Sequence, residues 1–441
     1  MLSEKPSVLV IGGGIAGIQA SLDLSSQGFM VYLVEKSPSI GGRMAQLDKT
    51  FPTMDCSICI LAPKMIECFR HPNIKLLTCS EVKEVTGSAG DFRVKILKKP
   101  RFVDETKCTG CGICSEKCPI KVPSEFEMNL GMRRAIYIPF PQAVPRVATI
   151  DKNDCLLFQK GVCRICQRLC KAGAVDFDQQ PEETVLSASA IIIATGFNPF
   201  DPSTISEYGY KRYKNVITSL EFERLVNASG PTNGELLRPS DNEPPYRIAF
   251  IQCVGSRSQK GFPYCSNACC MYATKEAILT KEHKPTSEAY IFYIDLKVFG
   301  KGFQEFVNRA MSDWGVNYIR GRPSEIKENP KTGDLVIWYE DPTDRKVKTM
   351  LVSMAVLCTA LVPRLDNKEL ADILGVELDE YGFFKAKDPL HAPVDTTVPG
   401  IFICGYCQGP KDISESVAQA SGAAGRATEV IMSTVAREVI V

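Results

Sequence analysis

Ser7–Ile11 and Met30–Val34 are two apolar runs of strand length, and residues 15–27 between them carry apolar side chains at helical spacing. With a glycine-rich turn over 12–17, the pattern predicts a strand, helix, strand unit. From Arg101 this periodicity gives way to closely spaced cysteines that continue to Cys170, so residues 101–182 read as a module inserted into a host fold. The β-branched run 190–194, ending in Thr195-Gly196, then resumes the host sheet. Residues 230–245, rich in Pro, Gly, Asn and Ser, read as a linker. Beyond it, strands at 247–252 and 289–295 and helices near 267–282 and 303–314 predict a second α/β unit. Strand-like runs at 335–339 and 350–357 close that unit, and 401–404 with 413–430 predict a last strand and helix. The implied division is a host domain in three parts, 1–100, 183–245 and 352–441, around the insertion and a second unit at 246–351.

Composition narrows the class. A chain of 441 residues fits two or three domains at a soft prior of roughly 150 residues each. Its 44% hydrophobic and 23% charged content is that of a globular protein. A net charge of +1 gives no reason to expect nucleic acid or an anionic membrane as partner. No apolar run reaches the roughly 20 residues of a membrane-crossing helix, and Met1 to Pro6 lacks a signal-peptide layout. The expectation is a cytoplasmic protein without direct membrane insertion. In a reducing compartment, 19 cysteines point to metal binding or thiol chemistry rather than to a disulfide framework.

Gly12, Gly14 and Gly17 form G-x-G-x-x-G between the first strand and the helix that begins with Ile15, Ala16 and Gly17. The first glycine permits the tight turn, the second a close approach of backbone to a pyrophosphate, and the third close packing of helix on strand. The helix N-terminus then favours the phosphate charge. Glu35, followed by Lys36, ends the second strand 18 residues after Gly17, where a carboxylate can accept from a ribose. The alternative is a glycine turn without a ligand. Gly41-Gly42-Arg43, followed by Met44, and Ala194-Thr195-Gly196 resemble the two-dinucleotide flavoproteins, in which the N-terminal site holds FAD.

Cys108, Cys111, Cys114 and Cys118 before Pro119 give C-x2-C-x2-C-x3-C-P, the spacing with which thiolates wrap a [4Fe-4S] cubane. Cys155, Cys163, Cys166 and Cys170 repeat the ending after a longer first gap. In two-cluster modules of this type the fourth cysteine of each run binds the other cluster. The expected sets are therefore Cys108, Cys111, Cys114 with Cys170, and Cys155, Cys163, Cys166 with Cys118. Structural zinc is the alternative for both runs.

The stretches Gly41-Gly42-Arg43-Met44-Ala45-Gln46, Cys56 to Met65, Ile136 to Pro145, Cys253-Val254-Gly255-Ser256-Arg257, Cys269 to Lys275, and Gln408 through Ala420 resemble the heterodisulfide reductase A-subunit over nearly the whole chain. The resemblance implies an α/β, thioredoxin-reductase-like two-dinucleotide-binding flavoprotein. It would have paired Rossmann-like units and an inserted two-cluster ferredoxin-like α+β module. It implies an oxidoreductase subunit that moves electrons between ferredoxin, hydrogenase or formate dehydrogenase modules and a disulfide-reducing partner, as a homo-oligomer within the complex. In some members of the family the flavin is thought to bifurcate electrons. The chain is expected to lack the family's N-terminal domain and C-terminal ferredoxin domain. In size it is similar to the A-subunit of the quinone-interacting oxidoreductase complex.

The second unit departs from a nicotinamide site, because strand 247–252 runs into Cys253-Val254-Gly255-Ser256-Arg257 instead of a second G-x-G-x-x-G. NAD(P)H is not expected there. Cys253, Cys265, Cys269 and Cys270 read either as ligands of a third cluster, which the resemblance supports, or as buried inert thiols. Cys56 with Cys59 and Cys404 with Cys407 form C-x2-C pairs that read as a redox dithiol, as packing, or as help in ligating a cluster. The resemblance gives Lys275 a contact with flavin N5, the alternative being a solvated surface lysine. The flavin residues carried over from it also include Gly405, Ile413 and Ser414, with the helix from Ile413 aimed at the flavin pyrimidine ring. Cys68, Cys79 and Cys358 read as core, and His71, His283 and His391 carry no partner pattern. Two rival functions remain at this level: a pyridine-nucleotide-dependent disulfide or sulfur reductase, and a zinc-bearing scaffold.

Overall fold

Buried on both faces, the apolar runs of the first unit line up as five parallel strands in the order Ile401–Ile403, Ala190–Ile193, Ser7–Ile11, Met30–Val34, Ile74–Leu77. The computed structural model describes residues 6–440, with side chains to Ser433, so the lead-in read above lies, apart from Pro6, outside the described residues. Alternation sorts the strand side chains by face. Val8 and Val10 point to a core shared with helices α1 (Ile15–Ser26), α2 (Ser57–Arg70) and the C-terminal helix, Ile413–Ile440. Leu9 and Ile11 point to a three-stranded antiparallel sheet of Ser80–Ser88, Asp91–Lys98 and Glu182–Ala188.

The inserted module leaves this small sheet after Lys98 and returns at Glu182, two residues that are register partners. Inside it, the short helices α3 (Ile113–Glu116), α4 (Leu156–Lys160) and α5 (Ile165–Leu169) surround a small core of Phe102, Val103, Ile136, Val147, Val175 and Phe177. Cys108, Cys114, Cys118, Cys155, Cys166 and Cys170 pack against that core.

The second unit is a parallel sheet in the order Val216–Thr218, Met354–Thr359, Arg247–Val254, Glu288–Tyr293, Asn317–Arg320. Its helices are α6 (Ser219–Val226), α7 (Cys269–His283) and α8 (Phe303–Ser312). A second antiparallel sheet, Pro323–Glu328, Leu335–Asp341 and Lys346–Val352, covers its other face. The run 350–357, expected as one strand, is two. The chain changes sheets at Ser353, whose N–H donates to Arg247 O at 2.8 Å. Residues on both sides of the break are apolar, Leu351 among them although it is half exposed, so periodicity alone does not register the break. Hence Met354–Thr359, beyond the expected division at 351, pairs within the second sheet, as do Val216–Thr218 from the span assigned to the host.

Helix α7 starts two residues later than expected because Asn267 sits at φ +61°, outside helical space. Two helices complete the set: α9 (Asn367–Leu374), which the sequence reading did not include, and α10 (Ile413–Ile440), which extends past the expected end at 430. Among the described residues no helix is long and apolar enough to cross a membrane.

Candidate flavin and iron–sulfur sites

The glycine turn is built for contact. A Cβ on Gly17 would lie 1.9 Å from Gly12 O, so helix α1 presses directly on the turn. Gly14, the N-cap of α1, faces open space, and a Cβ on Gly42 would lie 2.9 Å from its Cα. The two glycines thus form a bare backbone cradle at a helix N-terminus. Glu35 accepts from Gly13 N–H and Ser37 N–H, both at 2.7 Å, which fixes its carboxylate beside the turn.

A cavity of about 500 Å³ opens from this cradle. Gly12, Gly14, Ile15, Ala16, Glu35, Gly42, Arg43, Met44, Ala194, Thr195, Gly196, Gly405 and Ile413 line it, and so does Lys275 of α7. Gly17 stays beneath the turn. Lys36 lines an adjoining recess and pairs with Asp366 at 3.1 Å. Ser414 is exposed in the first turn of α10, and Asp412 and Ser416 face the cavity instead.

Several features fit a dinucleotide. The Thr195 hydroxyl is buried without a hydrogen-bond partner. Burial depresses the Arg43 pKa, and the charge of Arg364, which also lines the cavity, depresses it further. Two cations that repel each other across a cavity are relieved by a bound anion. The inserted module closes one wall with Phe126, Tyr137 and Phe140, the two phenylalanines stacked at 4.7 Å. At the other end Lys411 donates to Gly405 O, Gln408 Oε1 and Gly409 O at 2.8–2.9 Å, and burial lowers its pKa.

Lys275 is not a solvated surface lysine. It is 1% exposed, its Nζ lies 2.5 Å from Glu223 Oε1, and it donates to Lys49 O at 2.8 Å. Glu223 also accepts from Asp48 N–H at 2.8 Å. Glu276, the next residue on α7, is fully buried; burial first and the Glu223 carboxylate second push its pKa well up. Asp48 is raised to about 6, by burial first and Glu223 second. A folded-state pKa above the unfolded value means that Asp48 contributes stability below about pH 4, lost as pH rises through about 6. Asp48→Asn is therefore expected to raise the thermal midpoint at pH 7.5 while leaving it nearly unchanged at about pH 3, below the unfolded value. An equal shift at both pH values would remove Asp48 from this account.

The cysteines group as crossed sets. Burial pushes the Cys114 thiol up to about 11, and the neighbouring thiols that add to this are Cys108, Cys111 and Cys170. Cys118, Cys155, Cys163 and Cys166 together line a small pocket walled by Ile136, Ile150 and Phe177. Cys163 holds φ +88° and Cys253 φ +59°, conformations that a non-glycine residue adopts where the surroundings impose them. In the second unit, fully buried Cys269 is in hydrogen-bond contact with Cys253, Cys265 and Cys270. Those contacts pull Cys253 down to about 7 and Cys265 to about 6.

Backbone N–H groups reach sulfur in both regions. Ala174 donates to Cys170 at 3.3 Å, Asn267 to Cys265 at 3.4 Å and Lys297 to Cys270 at 3.3 Å, a donor set suited to thiolate ligands. Among the described residues no three such side chains close to the spacing of ligands around a single ion. Of the C-x2-C pairs, Cys56 and Cys59 form a disulfide at the start of α2. Cys404 and Cys407 are fully buried, and burial raises both thiols.

Residues 7–56 match the family model of FAD dependent oxidoreductases, and residues 101–124 match that of the 4Fe-4S binding domain. Thioredoxin reductase from Lactococcus lactis superposes with a TM-score of 0.52 at 16% identity, covering 98% of this chain and 100% of that one. The T. acidophilum enzyme gives 0.52 at 15%, covering 97% of each. Fold and motifs define the class: a thioredoxin-reductase-like FAD oxidoreductase fold carrying an inserted ferredoxin-like domain.

Two relatives are far more similar in sequence. The iron-sulfur A-subunit of CoB--CoM heterodisulfide reductase from Methanocaldococcus jannaschii is 54% identical over 95% of this chain and 63% of its own length. The A-subunit of H(2):CoB-CoM heterodisulfide,ferredoxin reductase from Methanothermobacter thermautotrophicus is 52% identical over 97% and 64%. The chain is thus similar to heterodisulfide reductase A-subunits over nearly all of its own length, and it spans less than two thirds of the length of these two relatives.

Proposed function

We propose that the chain is the flavin relay of a multi-subunit, heterodisulfide-reductase-like oxidoreductase, taking electrons at one cysteine set and delivering them at another. One observation carries this: the cavity touches elements of both cysteine regions. The inserted module forms its wall through Phe126, Tyr137 and Phe140. On the opposite side Tyr406 lines it and donates its hydroxyl to Ser266 O at 3.1 Å, next to Cys265. Tyr272, two residues past Cys270, lines it too. When bound, FAD exchanges electrons singly or in pairs, and each cluster exchanges one.

The residues proposed to hold FAD are Gly12, Gly14, Glu35, Gly42, Arg43, Thr195, Gly405 and Ile413, with Lys275 and Lys411 as cations at the far end of the cavity. The crossed sets of the module hold two [4Fe-4S] clusters, and Cys253, Cys265, Cys269 and Cys270 hold a third. Entry from NAD(P)H is disfavoured because the first turn of the second unit is filled: a Cβ on Gly255 would lie 2.4 Å from the Phe200 ring, where a pyrophosphate would need open backbone. The protein works in the cytoplasm, beside partner subunits that bring the donor and the acceptor.

Metal, sulfide and flavin quantitation after anaerobic purification tests this reading. About twelve irons per FAD are expected, against about eight without the third cluster. Zinc in place of iron, or flavin bleaching by NADPH, would sink it. Gly17→Ala tests the flavin site: with 1.9 Å to a backbone oxygen nothing can yield, and the purified variant is expected to carry less than about a tenth of the wild-type flavin at 450 nm. Retained flavin would place the cofactor elsewhere.

A further inference from the structure

Arg224 is among the largest fully buried side chains, and all three nitrogens of its guanidinium are engaged. Nε and Nη2 donate to the two carboxylate oxygens of Glu127 at 2.8 and 3.2 Å, and Nη1 donates to Gln46 O at 3.1 Å. The guanidinium carbon lies over the Phe126 ring, 4.9 Å from its centroid. These partners come from three parts of the molecule. Arg224 stands on α6 of the second unit, Gln46 on the turn of the first unit that carries Gly42 and Arg43, and Phe126 and Glu127 on the inserted module.

The module reaches this point through a loop of residues 124–131. Ser124 N–H donates to Gly131 O at 2.9 Å and Asn129 N–H to Ser124 O at 2.8 Å, so the loop is closed on itself. Its apolar side chains are divided between the units: Phe126 packs against the core of the first and Leu130 against that of the second. Gln46, buried, holds the loop from the cavity side, donating to Phe126 O at 2.9 Å and accepting from Arg43 at 3.0 Å. Phe126 lines the cavity, and its ring is held by Arg224 and Phe140 while its carbonyl is held by Gln46.

Burying an arginine with a glutamate costs the hydration of both, and an apolar pair of equal volume often holds an interface as well. What the apolar pair lacks is direction. A guanidinium fixes a carboxylate through a fork and an aromatic ring through its flat face at once, which a lysine of the same charge cannot do.

We infer that Arg224 is a positioning residue for the bound flavin, acting through Phe126: it pins the ring and the loop that carries it against the cavity. The inference rests on the flavin reading above. Because Arg224 belongs to the second unit and Phe126 to the module, the same contact holds the two cysteine regions in place on either side of the flavin.

The test is release of FAD from the anaerobically purified holoprotein, read as the fluorescence regained by free flavin after dilution. Arg224→Lys is expected to release FAD about tenfold faster at unchanged iron content. In a Phe126→Leu background the same substitution should add less than about twofold, because the two residues act as one unit. Ile326→Ala, a cavity in the covering sheet of the second unit, lowers the thermal midpoint without touching the loop and should release FAD at the wild-type rate. Glu127→Gln keeps the buried cation and weakens one side of the fork; its expected gain of about threefold covers an Arg224→Lys chain that misassembles. Release at the wild-type rate in Arg224→Lys or Glu127→Gln overturns the inference. So does a full effect that persists in Phe126→Leu, or equally fast release from Ile326→Ala at a matched thermal midpoint, which would make the role of Arg224 one of stability alone. Absence of flavin from the wild-type protein would instead overturn the flavin reading, and this inference with it.

Discussion

Cys118→Ala is expected to abolish the cluster of the second cysteine run and to spare that of its own. The variant should lose about four irons and one EPR-active centre, while Cys170→Ala removes the other centre. Cys118 shares its pocket with Cys155, Cys163 and Cys166, whereas Cys114 has Cys170 among its neighbours. Simple sequential ligation makes the opposite forecast for each variant. Iron quantitation of Cys118→Ala beside Cys118→Ala/Cys155→Ala decides: crossed ligation predicts equal losses, and sequential ligation predicts that the double variant loses about twice as much.

The second large effect concerns Lys275. Lys275→Met leaves Glu223 and Glu276 buried without their cation, and breaking a buried pair from one side costs about 3–5 kcal/mol. The Lys275 charge also counters the upward push on the Glu276 pKa, so its loss drives that pKa further up. A group raised in the folded state loses its stabilising contribution as pH rises, so the variant should fall furthest behind wild type at alkaline pH. Glu223→Gln in the same background should recover much of the loss. If Lys275 acts on flavin alone, unfolding is unaffected and only the flavin potentials move. A normal thermal midpoint with altered flavin potentials would therefore refute the structural part of this account.

Where local chemistry dictates local structure, the sequence was readable. The turn of Gly12, Gly14 and Gly17 can be read from three residues because each glycine answers one steric demand. The cysteine runs can be read because a cubane constrains spacing. Lys275 was ambiguous for the opposite reason. Its burial depends on Glu223 and on the carbonyl of Lys49, 52 and 226 positions away, and no local pattern encodes such a meeting. Ser416 was missed for its neighbour Ser414 by half a helical turn, a difference set by the entry angle of α10. Arg364 left no motif at all, and Lys411 stood inside the stretch Gln408 through Ala420 with no role of its own; each is a cation whose place appears only once the cavity has walls. The sheet change at Ser353 was invisible because the run stays apolar across it.

Lys98 and Glu182 face each other at the end of one antiparallel ladder, so 83 residues leave and re-enter the host at a single rung. In genealogical terms that rung is a splice point: a two-residue Asn-Gly turn would close it into an ordinary hairpin. Excision there leaves the ladder of the small sheet intact, but it takes Phe140, Ala143 and Val144 out of the host core. What such a protein would forfeit is the roof over the cavity, since Phe126, Tyr137 and Phe140 depart with the insert. With that wall gone the cavity stands open to solvent on one side, so the module is at once an insertion in the chain and a lid of the host.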